Sequence, residues 1–134
     1  MSSDDLCYMS ASVAIKQFRA LSLSPVELLD AIIDRAELIS DTINPFADCY
    51  FDEARRRAKE AETLYLQKNK NVRPLEGIPL VVKDICEISG KRTTRGSLVY
   101  GQSVSQQTSV HVQRLIDAGA NTFARTTIPE FAWL

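Results

Sequence analysis

The chain has 134 residues, 45 % of them apolar and 25 % charged, with a formal net charge of −1; this is the make-up of one soluble globular domain or part of a larger one. The two signs of charge are interspersed, so no basic field exists to hold a nucleic-acid backbone. No apolar run approaches the roughly 20 residues needed to span a bilayer, and the polar, acidic start Met1-Ser2-Ser3-Asp4-Asp5 lacks the basic and apolar stretches of a secretory leader, so we expect a cytoplasmic protein.

Taken in order, residues 10–20 predict a short helix with Val13, Ala14, Phe18 and Leu21 on one stripe. Ser24-Pro25-Val26-Glu27 is a helix start: serine caps, proline suits the first helical position, and glutamate three residues on can close a capping box. An apolar face of Val26, Leu29, Ile32, Ile33, Ala36 and Ile39 carries that helix to about residue 40. Asn44-Pro45 breaks it. Residues 47–51 predict a short strand, and Asp52 caps a third helix to about residue 67 with Ala54, Ala58, Ala61 and Tyr65 inward. The polar run 68–71 separates a helical part, residues 1–70, from residues 71–134, where the texture changes.

Pro74, Gly77 and Pro79 mark a turn, and residues 80–85 predict a strand buried on both faces. Thr108 caps a helix to about residue 118, Gly119 suits its C-terminal turn, and residues 121–124 predict another short strand. Strand, helix and strand in that order imply a right-handed crossover and an α/β sheet. The apolar end at Phe131, Ala132, Trp133 and Leu134 suggests a truncated domain prone to homodimerise or self-associate.

Cys7, Cys49 and Cys86 are odd in number and widely spaced, which argues against disulfides and a zinc site. Cys86 lies three residues after Lys83, and His111 is the one histidine that could serve it as a base; we adopt the reading of buried, reduced thiols and a surface histidine.

Lys83 closes an apolar strand. A free lysine has a pKa of ~10.4, so holding one neutral at pH 7 costs roughly 4.6 kcal/mol, and burial can lower a lysine pKa by about 3–5 units. Leu80, Val81, Val82 and Ile85 could supply such a setting and make Lys83 a base. Asp84 falls on the opposite face of a regular strand and is expected to hold backbone or a loop instead. Periodicity alone leaves open a strand-end lysine in water.

Four blocks of sequence resemble the amidase signature family in order and approximate spacing: residues 74–84 with the Gly77-Ile78-Pro79 strand and Lys83-Asp84, residues 93–97 (Thr-Thr-Arg-Gly-Ser), residues 115–120 (Leu-Ile-Asp-Ala-Gly-Ala), and residues 126–132 (Thr-Thr-Ile-Pro-Glu-Phe-Ala). They cover about the second half of the chain, and the helices before them look like the family's lead-in. The resemblance implies an amidase-like α/β fold, with a helical layer followed by the start of a mixed sheet flanked by helices. It also implies a hydrolase of the carboxamide carbon–nitrogen bond in a small-molecule amide, working through a serine, cis-serine, lysine triad without metal or organic cofactor. Lys83 matches the family's lysine, and the two serines would follow the Glu-Phe-Ala block, beyond residue 134. Ser97 reads as a loop hydroxyl rather than a nucleophile, and Glu130 either as a tie for the loop ahead of the serines, as the resemblance implies, or as a solvated carboxylate.

The chain departs from the family at Ile85 and Thr127, where asparagine is usual, at Ala124, where glycine is usual, and at Thr108-Ser109, where an aspartate commonly opens the helix. Two alternatives stand beside the amidase: a non-catalytic remnant, and the A subunit of a glutamyl-tRNA amidotransferase. On either reading, these 134 residues alone are expected to hydrolyse no amide.

Overall fold

A computed structural model describes residues 3–133. A short helix α1, Ser3–Cys7, precedes α2, Ala11–Ala20. Ser10 caps α2 by accepting the Val13 N–H, and Ala14 and Phe18 are its buried residues. Helix α3, Pro25–Ile43, runs three residues beyond the sequence expectation and ends on Asn44 in the left-handed region (φ 49°). Ser24 caps it by accepting the Val26 N–H at 3.0 Å. Its hydroxyl then donates to Glu62 at 2.5 Å, so the cap's side-chain partner is a distant helix rather than Glu27. The buried stripe of α3 is also wider than its periodicity suggested. Leu28 and Ala31 pack with Phe18 and Tyr65, whereas Leu29 and Ile33 pack with Ala54, Ala58 and Phe123, because α3 lies between two apolar clusters.

Strand β1, Phe46–Cys49, leads into α4, Phe51–Leu66. Tyr50 occupies the cap position of α4 without a side-chain bond, and Asp52 lies in the first turn, where its charge still suits the helix dipole. The alanines expected to face inward do so, each at 1 % exposure or less. Their lack of bulk lets α4 lie close to α3 and to the sheet.

Strand β2, Pro79–Lys83, is followed by α5, Val110–Asp117, and β3, Asn121–Thr126. The sheet is mixed, in the order β1-β3-β2, with β3 parallel to β2 and antiparallel to β1. The α/β class expected from strand, helix and strand is what forms. Central β3 is buried at every position but its last. Edge strand β2 is not buried on both faces: Val82 and Asp84 are buried, while Val81, Lys83 and Ile85 are exposed. The period-two alternation of a strand puts Val82 against Val112 and Ile88 and leaves the other row open among the described residues.

Thr108 and Ser109 do not cap α5 through their side chains. The Thr108 hydroxyl accepts the Ser89 N–H at 3.0 Å and the Ser109 hydroxyl accepts the Glu87 N–H at 2.9 Å. Both tie α5 to the turn that follows β2. Gly119, at φ +102°, passes so close to Glu76 that a Cβ there would lie 2.8 Å from its backbone. Among the described residues no helix is long and apolar enough to cross a membrane.

Candidate active site

Lys83 stands at the carboxyl end of β2 on its open face, and Nζ donates to the Thr127 carbonyl at 2.7 Å. The apolar enclosure expected around it is not assembled within the described residues. Val82 lies on the other face, and Val81 and Ile85 flank Lys83 at 42 % and 43 % exposure. Lys83 instead meets the segment that follows β3, because parallel pairing sets Lys83 beside Thr126.

Asp84 behaves as its place in the strand implied. It is 1 % exposed and holds a loop: its carboxylate accepts the Thr94 N–H at 3.1 Å and also the Thr94 hydroxyl. Its second partner was not foreseen. Arg125 of β3, at 0 % exposure, donates Nε to Asp84 at 3.1 Å and Nη2 to the Cys86 carbonyl at 2.7 Å. The readable signal was a single cation in an otherwise uncharged central strand; ending that strand at Ala124 hid it. A charge buried there needs a counter-charge and hydrogen bonds, and Asp84 with the Cys86 carbonyl supplies both. Lys83 is thus held between two buried residues, Val82 and a clamped Asp84.

The loop clamped by Asp84 then packs on the chain after β3. A Cβ on Gly96 (φ +70°) would lie 2.7 Å from the Ile128 carbonyl oxygen, so only glycine allows this approach. Ser97 donates to Glu130 at 2.7 Å and accepts the Val99 N–H at 3.3 Å, and Arg95 O accepts the Phe131 N–H at 2.7 Å. Ser97 is therefore a loop hydroxyl satisfying its surroundings, and Glu130 ties that loop down. Asp84, Thr94, Gly96, Ser97, Thr127 and Ile128 border a cleft of about 310 Å³. Three of the sequence blocks converge on this cleft, and Lys83 reaches its rim through Thr127.

The arginine of the cleft wall is paired. Arg92, a further residue of its wall, forks onto the Asp48 carboxylate at 2.8 and 3.2 Å, and that bond raises its pKa above the ordinary value. Burial, with Asp48 second, pushes the Tyr50 phenol up to about 12. Lys91 lies 4.2 Å from the centre of the Tyr50 ring and donates to Glu53 at 2.5 Å. That hydrogen bond holds Glu53 below the usual carboxylate range against its partial burial, helped by Arg57. Among the described residues no group of three or more His, Cys, Asp or Glu could hold a metal ion.

The cysteines are free but not deeply buried: Cys7 and Cys86 are partly exposed and Cys49 is exposed. His111, exposed on α5, brings Nε2 to 3.3 Å from Cys86 Sγ.

The family model described as Amidase matches residues 27–134. The A subunit of the glutamyl-tRNA(Gln) amidotransferase of Deinococcus deserti is 35 % identical over 92 % of this chain and 24 % of its own length. An acylamidase of Rhodococcus erythropolis is 27 % identical over 97 % of this chain and 27 % of its own length. Among solved structures, a fatty acid amide hydrolase superposes with a TM-score of 0.86 at 28 % identity, covering 95 % of this chain and 22 % of that one. The chain thus spans about a quarter of the length of the relatives it matches. With the family match over more than half of its residues, the chain belongs to the amidase family.

Proposed function

We propose that Lys83 is the base of a serine, cis-serine, lysine triad that hydrolyses a carboxamide carbon–nitrogen bond in a small-molecule substrate. The carrying observation is the Lys83 Nζ to Thr127 carbonyl bond at 2.7 Å, which ties the amine to a residue bordering the cleft where three family motifs meet. Both serines come from sequence outside these 134 residues. The lysine takes the proton of the bridging serine, which takes that of the nucleophile as it attacks the amide carbonyl; the bridging serine then gives one proton to the leaving amine and regains its own from the lysine, and a water activated by the same relay cleaves the acyl-serine ester to release the acid. The amine must be uncharged to begin, and this reading therefore requires an apolar enclosure that the described residues do not themselves build around it. The reaction uses no metal or organic cofactor, the protein is cytoplasmic, and the 134 residues alone hydrolyse no amide and can self-associate.

In full-length protein, Lys83→Ala lowers amide turnover by about 10²–10⁴-fold, the usual share of a positioned acid–base group. Retention of most of the activity removes the assignment. A second reading has an observation of its own in the 35 % identity to the corresponding component of an amidotransferase. On that reading the same lysine serves glutamine hydrolysis inside a complex of several different chains. Glutaminase activity that appears only with a copurifying partner would select it.

A further inference from the structure

Cys86 and His111 are 25 residues apart in sequence, on the turn after β2 and on α5, and the fold brings Sγ and Nε2 to 3.3 Å. The other two thiols differ. Cys7 donates its S–H to the Ala31 carbonyl at 3.4 Å. Cys49 is the most exposed of the three, yet partial burial, with Asp48 and Glu37 beside it, pushes its thiol up. Cys86 alone among them faces a basic nitrogen. It is also rigidly mounted: its N–H donates to the Lys83 carbonyl at 2.9 Å, and its carbonyl accepts from Arg125 at 2.7 Å.

We propose that Cys86 is a covalent modification site for soft carbon electrophiles, with His111 as the base that takes the thiol proton. With the imidazole proton on Nδ1, Nε2 presents its lone pair to the S–H. In reaction with an α-haloamide a sulfur–carbon bond forms, the carbon–halogen bond breaks, halide departs with the electron pair, and the proton stays on His111. No oxidant or reductant is consumed. The adduct sits on the turn that follows β2, three residues after Lys83. The inference does not depend on the function proposed for Lys83.

The test is limited alkylation of the purified protein with iodoacetamide at pH 7, with the rate at each cysteine read by peptide mass spectrometry. A free thiol of pKa ~8.5 is about 3 % ionised at that pH, so complete proton transfer accelerates alkylation by at most ~30-fold. Within that ceiling Cys86 is expected to react about fivefold or more faster than Cys49 and Cys7. His111→Gln, a change on the exposed side of α5, should bring Cys86 down towards Cys49 and leave Cys49 unmoved. Cys49 matching or outpacing Cys86 in the unsubstituted protein overturns the proposal. So does an unchanged Cys86 rate in the variant. Should the variant unfold, all three rates rise together, and the ranking in the unsubstituted protein alone decides.

Discussion

Phe18 and Arg125 are both at 0 % exposure, and they are buried by different means. Phe18 lies in the helical part of the chain, its ring centre 5.6 Å from that of Tyr65, among Leu28, Ala31 and other apolar neighbours. Nothing there needs a direction; apolar area leaves water and small residues let helices close up. Arg125 lies in the strand part. Its place is set by the Asp84 carboxylate and the Cys86 carbonyl, and Asp84 in turn by Thr94. The first region tolerates similar shapes, whereas the second requires particular atoms at particular distances. The candidate site stands on the second kind of support.

The sharpest way to test this contrast is to delete each anchor and then attempt a repair. Phe18→Ala should cost about 3–5 kcal/mol in denaturant unfolding, as large-to-small core changes do. Arg125→Ala should cost a similar ~3–5 kcal/mol, because it strands the Asp84 carboxylate in the interior. Only the second is repairable from across the contact. Asp84→Leu combined with Arg125→Met removes both charges and should recover much of the loss, less what the freed Thr94 N–H costs. If the double variant is no more stable than Arg125→Ala, the two regions are not as different as their partners suggest.

A smaller effect separates backbone strain from crowding. Gly96 and Gly90 both have positive φ, +70° and +76°, but a Cβ on Gly90 meets nothing within 4 Å whereas one on Gly96 meets the Ile128 and Pro129 carbonyls. Gly90→Ala should therefore cost the left-handed penalty of about 1–2 kcal/mol. Gly96→Ala should cost more and should also loosen the Ser97–Glu130 tie. Equal losses in thermal unfolding would mean that the loop does not lean on the later segment.

The smallest expected effect concerns acid. Lys91 holds Glu53 below its ordinary pKa by hydrogen bonding the carboxylate, against partial burial. A depressed folded-state value means the carboxylate adds stability above the ordinary carboxylate pKa and loses it as pH falls through the folded pKa. Lys91→Met should therefore lower the melting temperature slightly at neutral pH, change it little below that acidic window, and so flatten the decline between the two. An unchanged slope would place the acid sensitivity elsewhere.

The part of the fold visible in the sequence was the part governed by periodicity. Ala54, Ala58, Ala61 and Tyr65 announce the inner face of α4, and the alternation of a strand puts Asp84 opposite Lys83 before any coordinate is known. What stayed hidden depends on partners far along the chain. Ser24 reaches Glu62, Thr108 and Ser109 serve the turn after β2 instead of their own helix, and Arg125 is unintelligible without Asp84. The apolar character of residues 80–85 suggested two covered faces, but an edge strand needs only one. The pairing of Cys86 with His111 could be named as a possibility from composition, but only the packing of α5 against β2 sets its distance.

The open row of β2 has a practical side. Lys83 stands between Val81 and Ile85 on the uncovered face of a strand at the margin of the sheet. A cation in such a place acts as a gatekeeper, discouraging neighbouring molecules from stacking their own strands alongside. Neutralising it should therefore alter the colloidal behaviour of these 134 residues, whatever its effect on the proposed chemistry. Activity assays on Lys83 variants should accordingly be run beside sedimentation, so that precipitated protein is not counted as a dead catalyst.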